Sequence, residues 1–313
     1  PRPFAEIMRQ WSTLHPEFAF LPRKFKIAVT GAREDRAATA WHDVGLHLMR
    51  DEAGDAAQGV AAGSLGFKVL VGGGMGRTPV IATTIREFLP WAEILNYLEA
   101  VVRVYNRWGR RDNIYKARIK ILVKAEGQRY IDEVEAEYQN IVTQDGAPHT
   151  ISQAELDRVT ASFVPPNLSC DRKSADEKIA HILCAATEDN TEFARWLQQN
   201  VAPHKNPDLR AVTLSFKRLG QAPGDATAAQ LETAADLADQ FSAGELRVTH
   251  DQNLLLPWVR CDALPELWRA ARKAGFAKPN IRLLTDMIAC PGGDFCSLAN
   301  ARSLPLAEAI TRR

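Results

Sequence analysis

Short apolar runs separated by polar, glycine and proline positions dominate the first half of the chain. The runs Phe25–Thr30 and Phe67–Val71 contain β-branched residues and are bounded by glycine or proline, which predicts two strands. Apolar residues then recur at helical spacing over Pro90–Gly109, and a weaker helical pattern covers 117–138. We therefore interpret residues 1–150 as one domain of mixed strands and helices.

The second half of the chain shows a clearer alternation of elements. The hydrophobic pattern weakens over residues 151–189, and we interpret them as a linker marked by Pro165-Pro166-Asn167. Residues 190–275 follow the order β-α-β-β-α, with these elements: a strand at Leu209–Phe216, a helix opened by a capping box at Thr227–Gln230, strands at Leu246–Thr249 and Leu254–Trp258, and a helix at Pro265–Ala274. This order is most of a split-βαβ, ferredoxin-like unit, and residues 276–313 begin a further domain. The fold class is predicted to be α+β.

Composition and charge exclude several classes of protein. A net charge of +1 gives no overall attraction to polyanions, and no apolar run of about 18 residues is present to span a membrane. The five cysteines are odd in number and unevenly spaced, which is not typical of a secreted disulfide scaffold. We therefore expect a reducing, cytoplasmic location and no membrane partner.

Lys24 and Lys26 flank Phe25 in the first predicted strand. Because residues two apart in a strand project to the same face, both ammonium groups would point to one place while Phe25 enters the core. Two neighbouring cations repel each other unless an anion lies between them. The pattern predicts either an anion site or an exposed basic strand end.

The run Val71–Arg77 is rich in glycine, with Gly72, Gly73, Gly74 and Gly76. Glycine lets a backbone approach a ligand closely and present N–H groups to anions, but an ordinary tight connection has the same composition. The run is not a dinucleotide fingerprint, because Arg77 occupies the position of the third glycine and no helical pattern follows.

Seven basic residues and only one acid, Asp112, lie between Arg103 and Lys120. Such a stretch is typical of a solvated helix face, and it also suits a polyanionic ligand or nucleic acid.

Cys290 and Cys296 enclose a loop with two glycines. The spacing is too long for a zinc knuckle, whereas glycines between cysteines suit an iron–sulfur cluster, since its sulfur atoms accept backbone N–H groups. Two buried free thiols are the alternative.

Taken together and in this order, these segments resemble the sirohaem-dependent sulfite and nitrite reductases. The resemblance is carried by Leu21–Lys26, Gly66–Gly76, Trp108–Lys120, Arg247–Leu255 and Ala289–Asn300. It implies a sirohaem coupled to a 4Fe–4S cluster, a six-electron reduction of sulfite or nitrite, and a catalytic half-domain joined to a ferredoxin-like half.

The resemblance also implies roles for individual residues. Lys24 and Lys26 match the substrate-binding lysines, and Gly72–Gly74 match a loop close to the macrocycle. The haem carboxylates would face Arg118, Lys116 and Lys120, a second haem-contacting turn would hold Gln252 and Asn253, and the first two cluster ligands would be Cys290 and Cys296.

Two parts of the family pattern do not occur in this sequence. No second cysteine pair follows Cys296, and no N-terminal ferredoxin-like half precedes Pro1. We therefore expect a fragment truncated at both ends, inactive and without cofactors, that self-associates through an exposed apolar face.

Sulfite is the expected substrate and nitrite the alternative, because many nitrite-specific relatives carry a neutral amide where this chain has Lys26. The resemblance implies ferredoxin or an NADPH-dependent flavoprotein as electron donor. Two other classes stay open: a nucleic-acid-binding protein built on residues 103–120, which the small net charge disfavours, and a non-catalytic relative that binds no metal.

Overall fold

A computed structural model describes residues 1–52, 54, 61–76, 78–184, 188–297 and 299–312. Arg77, at the end of the glycine run, and residues 185–187, within the predicted linker, lie outside the described residues. The chain divides into two compact units, Pro1–Val164 and Pro165–Arg313. No described helix is both long and apolar enough to cross a membrane.

Among its described residues, the first unit contains a four-stranded sheet and six α-helices. The strands, in sheet order, are β1 Ile27–Thr30, β2 Val44–Arg50, β3 Leu65–Val71 and β4 Thr83–Pro90. β1 and β2 run parallel, and the other neighbours are antiparallel. The helices are α1 Arg2–Ser12, α2 Pro16–Ala19, α3 Ile94–Trp108, α4 Ile119–Glu126, α5 Gln128–Thr143 and α6 Gln153–Thr160.

Helix α3 lies at the centre of this unit, because its apolar residues recur on nearly every side. Leu98, Val101 and Tyr105 are completely buried, and they belong to one core with Phe67 of β3. Gly127 separates α4 from α5 with a φ of 54°, a conformation that favours glycine.

The second unit has an antiparallel sheet of order β5-β6-β8-β7. Its elements are α7 Arg172–Cys184, α8 Glu188–Asn200, β5 Val201–Pro203, β6 Leu209–Leu214, α9 Ala228–Phe241, β7 Arg247–Val248, β8 Leu254–Arg260, α10 Leu264–Ala274 and α11 Ser303–Thr311. The predicted capping box is confirmed: Thr227 Oγ1 accepts from Gln230 N at 3.3 Å, and Thr227 N donates to Gln230 Oε1 at 2.8 Å. Phe193, Trp196 and Trp268 fill the core against the sheet.

The α+β class is confirmed, and each predicted strand and helix has a counterpart, although β1 and β7 are shorter than predicted. The strands β2, β4 and β5 were not anticipated. Residues 151–189, interpreted as a linker, contain α6 and α7. The hydrophobic pattern did not reveal these helices, because neither has a strong apolar stripe. The Ser152 hydroxyl caps α6 by accepting from Glu155 N, and α7 buries little beyond Ala175.

Candidate functional site

Asp43 is a buried carboxylate, directly before β2, that joins three of the predicted site segments. Its Oδ2 accepts from the backbone N–H of Lys26 at 3.0 Å, and its Oδ1 accepts from Arg118 Nη2 at 2.7 Å. Its carbonyl oxygen accepts from the Gly72 N–H at 2.9 Å. A buried charge is stable only when paired, so this residue fixes the three segments together. The feature of the sequence that could have pointed to Asp43 is an acidic residue directly before the apolar run of β2.

Lys24 and Lys26 lie just before β1 rather than inside it, so the predicted strand began too early. The Lys26 N–H is taken by the Asp43 side chain, and the strand ladder therefore starts at the next residue. Both lysines are nevertheless exposed, whereas Phe25 is half-buried with its ring 5.8 Å from that of Tyr105. Across the described residues, neither ammonium group forms an ion pair with a carboxylate.

The glycine run is buried at Gly72, Gly73 and Gly74. A Cβ on Gly72 would lie 2.8 Å from Val123, and one on Gly73 would lie 2.5 Å from the carbonyl oxygen of Ala40. The N–H groups of Gly72 and Gly74 donate to backbone carbonyls. Close packing within this unit thus explains the glycines, and these two N–H groups are not turned toward an anion as the sequence suggested.

Three cations were predicted to face the haem carboxylates, and they differ in what they contact: Lys116, Arg118 and Lys120. Lys120 is 5% exposed, and its Nζ donates to the carbonyl oxygens of Met75 at 3.0 Å and Thr78 at 2.6 Å. Burial lowers the Lys120 pKa, and the Arg118 charge lowers it further. Lys120 therefore holds the loop rather than facing a ligand carboxylate.

Arg118 and Lys116 keep donors available. The Arg118 Nε is buried and has no hydrogen-bond partner among the residues that the structure describes. Lys116 ends a 3-10 turn, Ile114–Lys116, and its side chain is exposed.

Much of the basic stretch from 103 to 120 is paired with acids. Arg103 contacts Glu99, Glu137 and Asp145 at 2.9 to 3.1 Å, and Arg107 also contacts Glu137, at 2.7 Å. Carboxylates of α5 thus neutralise part of this charge, which counts against a nucleic-acid surface.

In the second unit, Gln252 and Asn253 use their amides within the protein. Gln252 has a φ of 56°, and its side chain donates to Ala289 O at 2.9 Å and accepts from Ala289 N at 3.1 Å. Asn253 is 2% exposed and donates to Asp286 Oδ1 at 2.8 Å while accepting from Phe216 N. The Gln252 side chain therefore fixes the residue that precedes the cysteine loop.

Lys217 is a buried cation that was not predicted from the sequence. Its Nζ donates to the carbonyl oxygens of Asp251 and Met287 and lies 3.8 Å from Asp286 Oδ1. Burial lowers the Lys217 pKa, although the nearby carboxylates oppose this. Lys217 joins the turn before β8 to the segment leading to the cysteine loop.

Cys290 and Cys296 are both exposed, so the alternative of two buried thiols is wrong. The Sγ of Cys290 lies 3.6 Å from Ser303 Oγ, and contacts with this hydroxyl and with the Gly292 N–H lower the Cys290 pKa. Gly292 has a φ of 59° and accepts at its carbonyl from Cys296 N, which closes the loop. By contrast, Cys261 is buried, and burial raises its pKa to about 11.

Two family profiles match these two units. Residues 1–141 match the nitrite and sulphite reductase 4Fe-4S domain, and residues 209–274 match the nitrite/sulfite reductase ferredoxin-like half domain. This chain belongs to the nitrite and sulfite reductase family. The resemblance seen in the sequence is therefore confirmed.

The chain is similar both to nitrite reductases and to sulfite reductases. It is 29% identical over 282 residues to an assimilatory ferredoxin-dependent nitrite reductase of Haloferax mediterranei, with 89% of this chain and 41% of the relative covered. It is 26% identical over 310 residues to sulfite reductase [ferredoxin] 2 of Mycolicibacterium paratuberculosis, with 98% and 45% covered. The Mycobacterium tuberculosis NirA structure shares the fold with a TM-score of 0.65 at 22% identity, with 99% and 47% covered. The chain thus spans less than half the length of these relatives.

Proposed function

We propose that the protein containing this chain reduces sulfite to sulfide by six electrons, with Lys24 and Lys26 binding the substrate. The observation that supports this most directly is that both ammonium groups are exposed and free of carboxylate partners among the described residues. The main chain beside them is anchored to buried Asp43. The protein therefore does not neutralise either cation with a carboxylate, and the backbone N–H of Lys26 is fixed.

Sulfite reduction needs this kind of charge. The S–O bonds break only when protons and positive charge reach the departing oxygens, and preorganised cations stabilise that developing charge. A second lysine at position 26 suits a dianion better than a neutral amide would. Nitrite is the second candidate, because the Haloferax relative is a nitrite reductase.

The residues present fit the family's cofactors. The partnerless, buried Arg118 Nε and the exposed Lys116 suit the carboxylates of a sirohaem, since guanidinium–carboxylate contacts are strong. A lowered thiol pKa suits Cys290 as a thiolate ligand of a 4Fe–4S cluster, with Cys296 as the second ligand. When bound, this pair of cofactors would pass electrons from the donor protein to the substrate. Gly72–Gly74 and Lys120, and in the other unit Gln252 and Asn253, would shape the binding surfaces.

The 313-residue chain by itself is expected to be inactive. A 4Fe–4S cluster generally needs four thiolates, and Cys290 and Cys296 are two. Ferredoxin is the proposed electron donor, because the names of the nitrite and sulfite reductase relatives include it, and an NADPH-dependent flavoprotein is the alternative. Self-association and a cytoplasmic location remain predictions.

The test uses the full-length protein and compares two substrates. We expect a sirohaem absorption spectrum that changes when sulfite is added, and turnover of sulfite and nitrite with reduced ferredoxin. Lys26→Gln should lower kcat/KM for sulfite more than for nitrite, whereas Lys124→Gln, at an exposed lysine of α4, should change neither. Full-length protein without haem absorption would refute the proposed family activity, and an equal effect on both substrates would refute the role of Lys26 in selectivity.

A further inference from the structure

His15, Glu99 and His149 come together in the first unit, and of the three only Glu99 was met above, as a partner of Arg103. His15 directly precedes α2, Glu99 lies in α3, and His149 follows α5. One ligand atom from each lies within 4.8 Å of the others, and these three form the one such group of potential metal ligands among the described residues. Residues far apart in the sequence are therefore joined at one point.

The carboxylate of Glu99 is buried and incompletely satisfied. Its side chain is 4% exposed, and its Oε2 lies 2.9 Å from His15 Nε2. Even so, Oε2 accepts no aligned hydrogen bond within the described part of the chain. A buried carboxylate oxygen without an aligned hydrogen bond is costly, so Oε2 keeps an electron pair that a ligand beside His15 could use.

The charge around the cluster favours a dication. Four carboxylates share two guanidinium groups, and the connected residues are Glu99, Glu133, Glu137, Asp145, Arg103 and Arg107. These six side chains carry a net charge of −2, and the two histidines add nothing to it when both are neutral.

We propose that His15, Glu99 and His149 bind a divalent transition-metal ion of the Zn²⁺ type. Two imidazoles and a carboxylate are the nitrogen and oxygen donors that such ions take. Two atoms that are each about 2.1 Å from a tetrahedral ion lie about 3.4 Å apart, so the 2.9 Å between His15 Nε2 and Glu99 Oε2 has to widen by about 0.5 Å when the ion binds. His149 also lines a surface cavity with Trp11 and Thr150, which provides a route for the ion.

Metal binding makes a further structural demand on His15. Its Nδ1 accepts a long, 3.3 Å hydrogen bond from Glu17 N at the start of α2. An imidazole bound to metal through Nε2 carries its proton on Nδ1, so this weak contact would be given up. The backbone N–H of His149 is already fixed by Asn96 Oδ1 at 2.9 Å. The ion would tie the segment before α2 and the loop after α5 to central helix α3.

Zinc binding to the 313-residue chain tests this site. Because exposed cysteine thiolates are also zinc ligands, Cys184, Cys290 and Cys296 are replaced by serine in every sample. After dialysis against Zn²⁺ and then buffer, we expect one equivalent of zinc by elemental analysis and a thermal unfolding midpoint that rises with Zn²⁺. His149→Ala and Glu99→Gln should each weaken zinc affinity by at least about tenfold, the scale of losing a metal-supporting group.

The matched control is His181→Ala, at an exposed histidine of α7, which should bind zinc like the parent. Circular dichroism in chelator establishes that each variant is folded, and Glu99→Gln, which keeps the side-chain shape, replaces His149→Ala if the latter unfolds. The proposal is overturned if the parent retains no zinc, or if folded cluster variants bind zinc as tightly as His181→Ala.

Discussion

Arg118 Nη2 lies 2.7 Å from Asp43 Oδ1, and this ion pair joins positions 75 residues apart in the sequence. The Asp43 side chain is completely buried, while that of Arg118 is 18% exposed. Besides the guanidinium, Asp43 also accepts from the Lys26 backbone through its other carboxylate oxygen. One buried acid thus joins the backbone at Lys26 to Arg118, the residue directly before α4.

Removing this acid should destabilise the first unit. Asp43→Ala leaves a guanidinium partly buried and unpaired, and breaking such a pair costs about 3–5 kcal/mol of unfolding free energy. Urea unfolding followed by circular dichroism measures the change. Asp112→Ala removes an exposed partner of Arg110 and should have little effect. Equal stabilities of these two variants would contradict the central role of Asp43.

Lys24→Ala or Lys26→Ala in the full-length protein should lower sulfite turnover by about one to three orders of magnitude, the scale of removing a charge that stabilises a transition state. Haem content should stay near normal, because both side chains are exposed and form no ion pair with a carboxylate in the described structure. Lys124→Ala serves as the surface control. Wild-type turnover in both variants would show that this segment does not bind substrate.

Serine at Cys290 or Cys296 should abolish the electron paramagnetic resonance signal of the reduced 4Fe–4S cluster in the full-length protein, because each change removes a thiolate ligand. Serine at Cys184, which is also exposed, should leave the signal intact, as should changes at Cys170 and Cys261. Loss of the cluster on replacing Cys184 would contradict the choice of ligands.

In the presence of a chelator, His149 should make stability depend on pH. Burial lowers the His149 pKa below its usual value of about 6.5, and His15 and Arg103 lower it further against the opposing charge of Glu99. The unfolded chain therefore binds a proton at higher pH than the folded chain, so the free energy of unfolding falls as pH drops below about 6.5.

This contribution can be isolated by difference. Urea unfolding from pH 7.5 to 5 should show a shallower decline for His149→Gln than for the wild type, whereas His181→Gln should follow the wild type. Parallel curves for wild type and His149→Gln would mean that this histidine titrates alike in both states.

Features determined by neighbouring residues could be predicted from the sequence. The Thr227–Gln230 capping box and the end of α3 before Gly109 depend on contacts within one helical turn, and both appear as expected. The exposed lysines around Phe25 followed from simple alternation, although the strand itself begins later.

Features determined by partners distant in the sequence could not be predicted. The roles of Asp43 and Lys217 depend on groups that only the fold brings near, 75 residues away for Asp43. Lys120 looked like a ligand-facing cation because nothing local reveals that two loop carbonyls surround its ammonium group. The short edge strand β5, which ends in Pro203, has too few residues for a periodic signal.

Asp43 holds position 26 through the main-chain N–H, not through the lysine side chain. Every amino acid except proline can supply that donor. Position 26 is therefore free to vary in charge and size while the strand entry stays in register. If position 26 binds the substrate as proposed, a single substitution there changes the charge that the anion meets, without a compensating change elsewhere to preserve folding.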